Sequence, residues 1–463
     1  MRSPDIPTSR RPHLRPLLIK ELWEVVAGRA LWTMLLLVCP LVGFSFYQAV
    51  SLYGEASAAT VQSPTLAGGL SPLDGILVPT FGAFYVTVTL LFPFVAIRAL
   101  GHEKETGALR LLVQLPFRSH ALIAAKLTAV VAAWLLAAIP ALSVLAIWTM
   151  LGGHLYLPET LNVVFGHLLY GALVGAIALF AASISEGAAT AAIVTLAFTI
   201  GSWVLDFTAG GRPGPLEWLA HLSLTQTLRP FEQGLLSASL VVGVILVILG
   251  FSALAAIWLP PGVTFRSKLT FSSVCVLAVG LALLAATRLK ATIDVTEDRR
   301  NSFSVADQRA LSGLTRPLVI TAHLAPEDPR YIDLNRNVLA KLERTLGDVT
   351  VRLAGGRQSM ISNANDDAYG EIDYDYGGRS ATSRSTSLRE ILPLLYGLGE
   401  TPPPTQMSDD DYPGYPLVAD GQIALLWFFG GLPLVIVWAW WLARRPPRIV
   451  SRSATKETCD EKA

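Results

Sequence analysis

Few residues in this chain have the type and spacing that catalysis or metal binding requires. His102-Glu103 resembles the start of a zinc-protease motif, but Thr106 stands where the second His is needed. The sequence contains no Gly-x-x-x-x-Gly-Lys-Ser/Thr stretch for binding ATP phosphates. Its three cysteines are too few for a disulfide framework. The sequence therefore predicts no catalytic residue, no metal site and no directly bound cofactor.

The polar segment 288–420 offers weak candidates for ligand binding. Its one histidine, His323, falls on a predicted strand, where a lone His is expected to be structural. Asp366-Asp367 and Asp409–Asp411 lack the regular oxygen spacing of a calcium loop, so solvated acids are expected. A polar ligand or a glycan could be bound by Tyr374, Tyr376 and Arg379. The favoured interpretation of this stretch is nevertheless an ordinary edge strand.

The composition indicates a membrane protein. Of 463 residues, 52% are hydrophobic and only 15% are charged, and the mean hydropathy is +0.49. These values exclude a disordered chain and disfavour a soluble globule. A net charge of +1 gives no global basic field for nucleic acid. A membrane span needs roughly 20 apolar residues, and eight uncharged runs are long enough: Leu31–Ser51, Leu77–Ile97, Leu127–Gly153, Thr160–Ser185, Gly187–Leu205, Gln233–Leu259, Leu269–Thr287 and Gly421–Ala443.

The distribution of Lys and Arg predicts the orientation of these spans. With the N-terminus in the cytoplasm, the inside segments carry 18 Lys and Arg, whereas the short outside loops carry only Arg212 and Arg229. Both termini are then cytoplasmic. A cleaved signal peptide ending near Ala56–Ala58 is the competing interpretation, but the first 30 residues and the first apolar run are too long for one. Glu186, the only charge between Thr160 and Leu205, marks the turn of a helical hairpin.

The predicted fold class is therefore an α-helical polytopic membrane protein with eight transmembrane helices, arranged as six plus two, and a small extracytoplasmic α/β domain. The predicted divisions are a cytoplasmic N-terminus with an interfacial helix (1–30), a six-span domain (31–259), a cytoplasmic loop and seventh span (260–287), the extracytoplasmic domain (288–420), the eighth span (421–443) and a cytoplasmic tail (444–463).

Two cytoplasmic stretches have recognisable patterns. Leu14, Leu18, Leu22 and Val25 form an apolar stripe, with Lys20, Glu21 and Glu24 largely off it. We favour an interfacial helix over an early start of the first span. The second stretch is Arg98–Arg118, where Glu103 and Glu105 are predicted to precede a short helix from about Ala108 to Leu115, which Pro116 ends. The residues alone leave two interpretations open. The segment is either a stiff rod that transmits a displacement from a soluble partner to the spans, or a solvated connector without a partner.

This second stretch resembles the coupling loop of exporter-type (type-2) ABC transporter permeases. The resemblance rests on Glu103–Pro116, Arg118 and Lys126, and it extends to the interfacial helix and the six spans of residues 14–259. In that family the loop docks on the ATPase subunit. The resemblance implies an ATPase-coupling role for Glu103, Glu105, Gly107, Pro116 and Arg118. It also makes Lys126 the matching basic residue of the following span.

The polar segment resembles the auxiliary subunit of gliding-motility-type ABC systems. The similar residues are Asp294–Ser304, the strand from Pro317, and Tyr374–Ser380. Strands at 317–324 and 349–353 flank a helix at 331–346, which predicts a small α/β unit with a parallel pair. Glu371–Tyr376 is a candidate third strand. The resemblance implies an auxiliary module, 269–443, fused behind the permease, although its external part is shorter than in that family.

The leading hypothesis is a permease subunit without its own ATPase site, hence not an enzyme, in the bacterial cytoplasmic (inner) membrane. ATP would bind a separate ABC ATPase subunit, and the permease would act as a homodimer or pseudo-dimer in the lipid membrane. Nearly charge-free spans disfavour an ion-coupled carrier. No nucleic-acid partner is predicted, and the substrate is unidentified. The alternative is a non-transporting membrane scaffold or sensor that recognises an external ligand through 288–420.

Overall fold

The computed structural model describes residues 14–114, 117–209, 223–314, 316–325, 328–354, 368–404 and 412–444. Within these residues, eight helices are long and apolar enough to cross a membrane. Their bounds are Arg29–Ala59, Leu73–Glu105, Ser119–Met150, Leu157–Ile184, Ala188–Leu205, Ala238–Trp258, Phe265–Ala286 and Gln422–Ala443. Each overlaps one of the eight uncharged runs, so the prediction of a multi-pass membrane protein agrees with the structure.

The helices up to residue 286 are α1 (Leu14–Ala27), α2 (Arg29–Ala59), α3 (Val78–Glu105), α4 (Ala108–Gln114), α5 (Ser119–Ala137), α6 (Ile139–Met150), α7 (Leu157–Ile184), α8 (Ala188–Ala209), α9 (Leu224–Glu232), α10 (Ala238–Trp258) and α11 (Phe265–Ala286). The later helices are α12 (Val305–Ser312), α13 (Pro329–Leu334), α14 (Ala340–Thr345), α15 (Leu388–Gly399), α16 (Gln422–Leu426) and α17 (Leu432–Ala443). The strands are β1 (Leu235–Ser237), β2 (Thr292–Asp294), β3 (Leu318–Ala322), β4 (Val349–Leu353), β5 (Ile372–Tyr376) and β6 (Arg379–Ser383).

Helix α7 lies at the centre of the bundle. It packs against α3, α5, α8 and α10, and most of its side chains are buried. Gly171 and Gly175, one turn apart, leave room for the side chains of Trp134 and Val130 of α5 to pack directly on the backbone of α7. Small residues commonly permit such contacts between membrane helices. Helix α7 ends at Ile184 and α8 begins at Ala188, which confirms the hairpin turn predicted at Glu186.

The last two spans lie against different members of the bundle. Helix α11 packs on α10, and most of its surface is exposed. The continuous helix α16–α17 packs instead on α2. Phe428 fits against the backbone of Gly43 and meets Phe46 edge-on, with ring centroids 6.4 Å apart. The two spans therefore join the bundle through separate partners.

The bundle has two distinct ends. Helices α1 and α4 and the turn 185–187 lie at one end, which we call the basic end. The other end contacts the segment 288–420, and we call it the domain end. There Asp74, just before α3, forms an ion pair with Arg300. Helix α3 therefore runs between the two ends.

The segment 288–420 contains a four-stranded sheet of order β4-β3-β5-β6. Strands β3 and β4 are parallel, with Leu318 opposite Val349, as the strand-helix-strand pattern predicts. Strand β5 pairs antiparallel with β3, and β6 pairs antiparallel with β5. The sequence did not predict β6. Gly377 and Gly378, with φ of 60° and 88°, form the two-residue turn of this hairpin.

Two expectations for this domain need correction. Strand β5 has a partner strand on each side, so it is not an edge strand. Its face carrying Ile372, Tyr374 and Tyr376 is buried, so both tyrosines point into the core of the domain. They are therefore neither ligand-binding side chains nor part of an edge strand. The helix predicted at 331–346 is observed as α13 and α14, joined by a wider π-helical turn at Asn335–Leu339. The acids 366–367 and 409–411 lie outside the described residues.

A compact junction attaches the domain to the bundle. Strands β1 and β2 pair antiparallel, with Leu235 opposite Asp294. Both carboxylate oxygens of Asp294 accept hydrogen bonds from the next turn. The donors are the Thr296 backbone N–H and hydroxyl, the Asn301 backbone N–H and the Ser302 hydroxyl, at 2.7–3.1 Å. The segment Asp294–Ser304, singled out in the sequence, therefore forms this junction.

Candidate functional site

The densest group of buried charges lies at the basic end, around Lys126 of α5. Its ammonium is fully buried and lies 2.9 Å from Glu21 Oε2 of α1 and 2.7 Å from Glu103 Oε2 of α3. The contact with Glu21 is a hydrogen bond, whereas that with Glu103 has ion-pair geometry only. Lys126 also donates to the Ala99 carbonyl at 2.7 Å. One ammonium therefore joins three helices.

Lys20 closes this group from the solvent side. Its ammonium forms ion pairs with Glu21 and Glu24, each at 3.2 Å, and with Glu103. Burial alone would lower the pKa of Lys20, but the hydrogen bond to Glu103 and the charge of Glu21 raise it above its ordinary value. Burial raises the pKa of Glu21, and the charge of Lys126 opposes that shift. We call Lys20, Glu21, Glu24, Glu103 and Lys126 the charge cluster.

The position of Glu21 corrects the predicted pattern of α1. Helix α1 is present as predicted, but its buried side chains are Leu17, Glu21 and Val25, spaced by one turn each. Glu21 was expected to lie off the apolar stripe; it is buried because Lys126 provides its counter-charge. The side chain of Leu14 lies outside the described residues.

Lys126 and Glu103 both lie inside the helix bundle. The carboxylates of Glu21 and Glu103 hold the ammonium of Lys126 there. Glu103 and Glu105 precede the short helix α4, as predicted, and they also form the last turn of α3. Glu103 is 2% exposed, whereas Glu105 is exposed. The helix ends there because Gly107 adopts a φ of 75°, which only glycine tolerates readily.

Lys104 provides a second anchor that the sequence did not predict. Its ammonium donates to the carbonyls of Ala182, Ser183 and Ser185 at 2.6–2.9 Å. These carbonyls end α7, so the cation satisfies acceptors that lack partners within the helix and lies at the negative end of its dipole. A basic residue between two acidic ones gives no sequence signal for such a contact.

Helix α4 presents an exposed surface. Leu109 is buried against the bundle, whereas Arg110 is exposed and Leu111 is 68% exposed. Arg118, also exposed, is the residue immediately before α5. Pro116 lies outside the described residues. The segment expected to contact a partner therefore combines internal anchors at Glu103 and Lys104 with an outward-facing helix.

The charge cluster is not suited to holding a metal ion. Oxygens of Glu21, Glu24 and Glu103 lie within 4.8 Å of one another, close enough to share a cation. The ammoniums of Lys20 and Lys126 already occupy the space between these carboxylates. The cluster is therefore better suited to holding helices together than to binding an ion.

His167 and His323 are consistent with structural roles. His167, buried in α7, has Nε2 3.2 Å from the Phe81 carbonyl of α3, so the ring links two helices. His323 pairs with Asp373 on β5, with Nε2 and Oδ2 3.0 Å apart. Neither ring lies beside a nucleophilic side chain in the contacts of the described residues.

Comparison with known proteins gives no match: none of the family models, the curated proteins or the solved structures is similar to this chain.

Proposed function

We propose that the protein is the permease subunit of an ABC transporter, driven at its basic end by a separate ATPase subunit. The observation that carries the proposal is the arrangement of segment 103–118. The buried Glu103 and the half-buried Lys104 are tied to three helices, while α4 beside them presents exposed side chains. This is the arrangement that a coupling segment requires.

The contacts suggest how a displacement would spread from α4. A partner that moves α4 also moves the end of α3, because only Thr106 and Gly107 separate the two helices. Glu103 would transmit the displacement to Lys126 and α5, and through Lys20 to α1. Lys104 would transmit it to the end of α7. Three spans and the interfacial helix would respond together.

The energy source is proposed to lie outside the membrane region. Lys126, which is fully buried within a span, is held between two carboxylates and is not placed for carrying ions. ATP would bind the partner ATPase. The permease would form a homodimer or pseudo-dimer in the bacterial cytoplasmic membrane, with the basic end in the cytoplasm, in accordance with the distribution of Lys and Arg.

Co-purification tests this proposal. The protein is isolated from its native membrane in mild detergent and examined for a bound ATPase. We expect Leu111→Asp to abolish co-purification, since it places a carboxylate on the exposed face of α4. Leu66→Asp, at an exposed leucine of the domain end, should have no effect. Wild-type protein without an associated ATPase, or equal recruitment by both variants, would refute the proposal.

The second candidate is a non-transporting scaffold or sensor. The junction favours it in one respect, because Tyr415 donates to Glu297 at 2.6 Å and stacks on His154, with ring centroids 3.7 Å apart. A ligand bound outside could therefore be sensed by the bundle. This function needs no ATPase, so the same co-purification separates the two candidates.

A further inference from the structure

An open cavity lies at the basic end beside the charge cluster. Its volume is ≈ 380 Å³, within the range of about 300–1,000 Å³ usual for small-molecule sites. It lies between the start of α2, the last turns of α3 and the first turns of α8. Its lining residues are Ala30, Phe94, Ile97, Arg98, His102, Glu105, Ala188, Ala189 and Ala192.

The lining changes from apolar to charged along α3. Phe94, Arg98, His102 and Glu105 recur at helical spacing and so lie on one face. They extend over about 16 Å along the helix axis, at 1.5 Å per residue. Phe94, nearest the middle of the span, is 47% exposed, and small alanines of α8 form the facing wall. The cavity is thus apolar towards the membrane interior and polar nearer the basic end, with Arg98 and His102 followed by Glu105 at the mouth.

Arg98 and His102 are available for a ligand. Within the described part of the chain, the side chains of Arg98 and His102 have no hydrogen-bond or ion-pair partner, and both are exposed. Glu21 and Glu24 of α1 line a small adjoining cavity together with Arg98 and His102. Those carboxylates pair with Lys126 and Lys20. The guanidinium of Arg98 therefore keeps its donors for an anion in the larger cavity.

We propose that this cavity binds one phospholipid with an ammonium headgroup, such as phosphatidylethanolamine, from the leaflet at the basic end. Arg98 and His102 hold its phosphate, because guanidinium groups form strong charge-assisted hydrogen bonds with phosphate oxygens. An acyl chain lies against Phe94, Ile97 and the alanines of α8. Glu105, at the mouth, pairs with the ammonium, which the headgroup of phosphatidylglycerol lacks. The site does not depend on the proposed transport function.

Native mass spectrometry of the full-length protein, delipidated in detergent and titrated with palmitoyl-oleoyl phosphatidylethanolamine, tests the site. We expect Arg98→Ala to weaken binding of the first lipid by roughly tenfold or more, which corresponds to the loss of one charge-assisted hydrogen bond. Ala189→Phe, which fills the cavity from an exposed position, should do the same. The matched controls Arg110→Ala and Ala197→Phe alter exposed residues away from the cavity and should leave affinity unchanged.

Two further arms identify the ligand chemistry. Soluble glycerophosphoethanolamine, which lacks acyl chains, should not compete at the concentrations that saturate the lipid. Phosphatidylglycerol should bind more weakly than phosphatidylethanolamine, and Glu105→Gln should remove that difference. Wild-type affinity in Arg98→Ala or in Ala189→Phe overturns the proposal. Full competition by the soluble headgroup, or a preference for phosphatidylglycerol, does so as well.

Discussion

Hydropathy alone places the charged side chain of Lys126 at a membrane surface, whereas in the structure it lies among helices. The sequence marks both Lys126 and Glu103 as candidate coupling residues. Their burial was not predicted, because the counter-charge on Glu21 is 105 residues away in the chain. Pairing between such distant residues depends on how α1 packs on α5, and no local pattern encodes that.

We predict that Lys126→Met destabilises the protein strongly. The substitution keeps most of the side-chain volume but leaves Glu21 and Glu103 buried without their shared ammonium. Removing one partner of a buried ion pair typically costs about 3–5 kcal/mol. Thermal unfolding in detergent measures the effect as a lowered Tm. Lys290→Met, at an exposed position after α11, is the matched control and should unfold as wild type does. Equal Tm values for the two variants would show that the charge cluster contributes no net stability.

A pH dependence is predicted at Glu232, at the end of α9. Burial raises the pKa of this carboxyl from 4.5 to about 7, and the charge of Arg229 opposes the shift. The neutral acid is favoured in the folded state, so its stabilising contribution is complete below the unfolded pKa and is lost as pH rises through about 7. Tm should therefore fall between about pH 5 and pH 8. Glu232→Gln should reduce that fall, and an unchanged profile would contradict the assignment.

At the scale of elements, runs without charge predicted the helices well because a membrane span leaves a long, unambiguous signal. Element ends were predicted less well. The second uncharged run ends at Ile97, whereas α3 continues to Glu105 and Gly107 ends it. Strand β6 was missed because Arg379–Ser383 is short and polar, and its pairing depends on the turn at Gly377 and Gly378. Whether a short exposed strand forms depends more on its partner strands than on its own composition.

The junction with the domain provides a prediction at this scale. Asp294→Ala should loosen the connection, because four donors of the following turn lose their acceptor. Unsatisfied donors cost about 1–3 kcal/mol. Limited proteolysis of the full-length protein should then cleave faster within 288–304. Asp375→Ala, which removes an exposed carboxylate of β5, serves as the control. Unchanged cleavage in the Asp294 variant would show that β1–β2 pairing alone holds the junction.

At the scale of the whole molecule, the charges are sorted between two ends. The Lys and Arg of residues 98–118 lie at one end of the bundle, and the described part of the charged segment 288–420 lies at the other. This placement of charges at the two ends could be predicted from sequence because charges avoid the spans. How the seventh and eighth spans attach, through α10 and α2, could not be predicted, since lipid-facing and helix-facing surfaces are equally apolar.

The most direct test of the account is photo-crosslinking from position 111 of α4 in native membranes. A photoreactive amino acid replaces Leu111, whose side chain faces outward. If a separate ATPase drives the permease at its basic end, we expect a crosslink to a separate protein that also becomes labelled by a photoreactive ATP analogue. The same amino acid at Leu66 of the domain end should not reach that protein. A crosslink from Leu66 but not from position 111 to the ATP-binding protein, or none from either, would contradict a permease driven from its basic end.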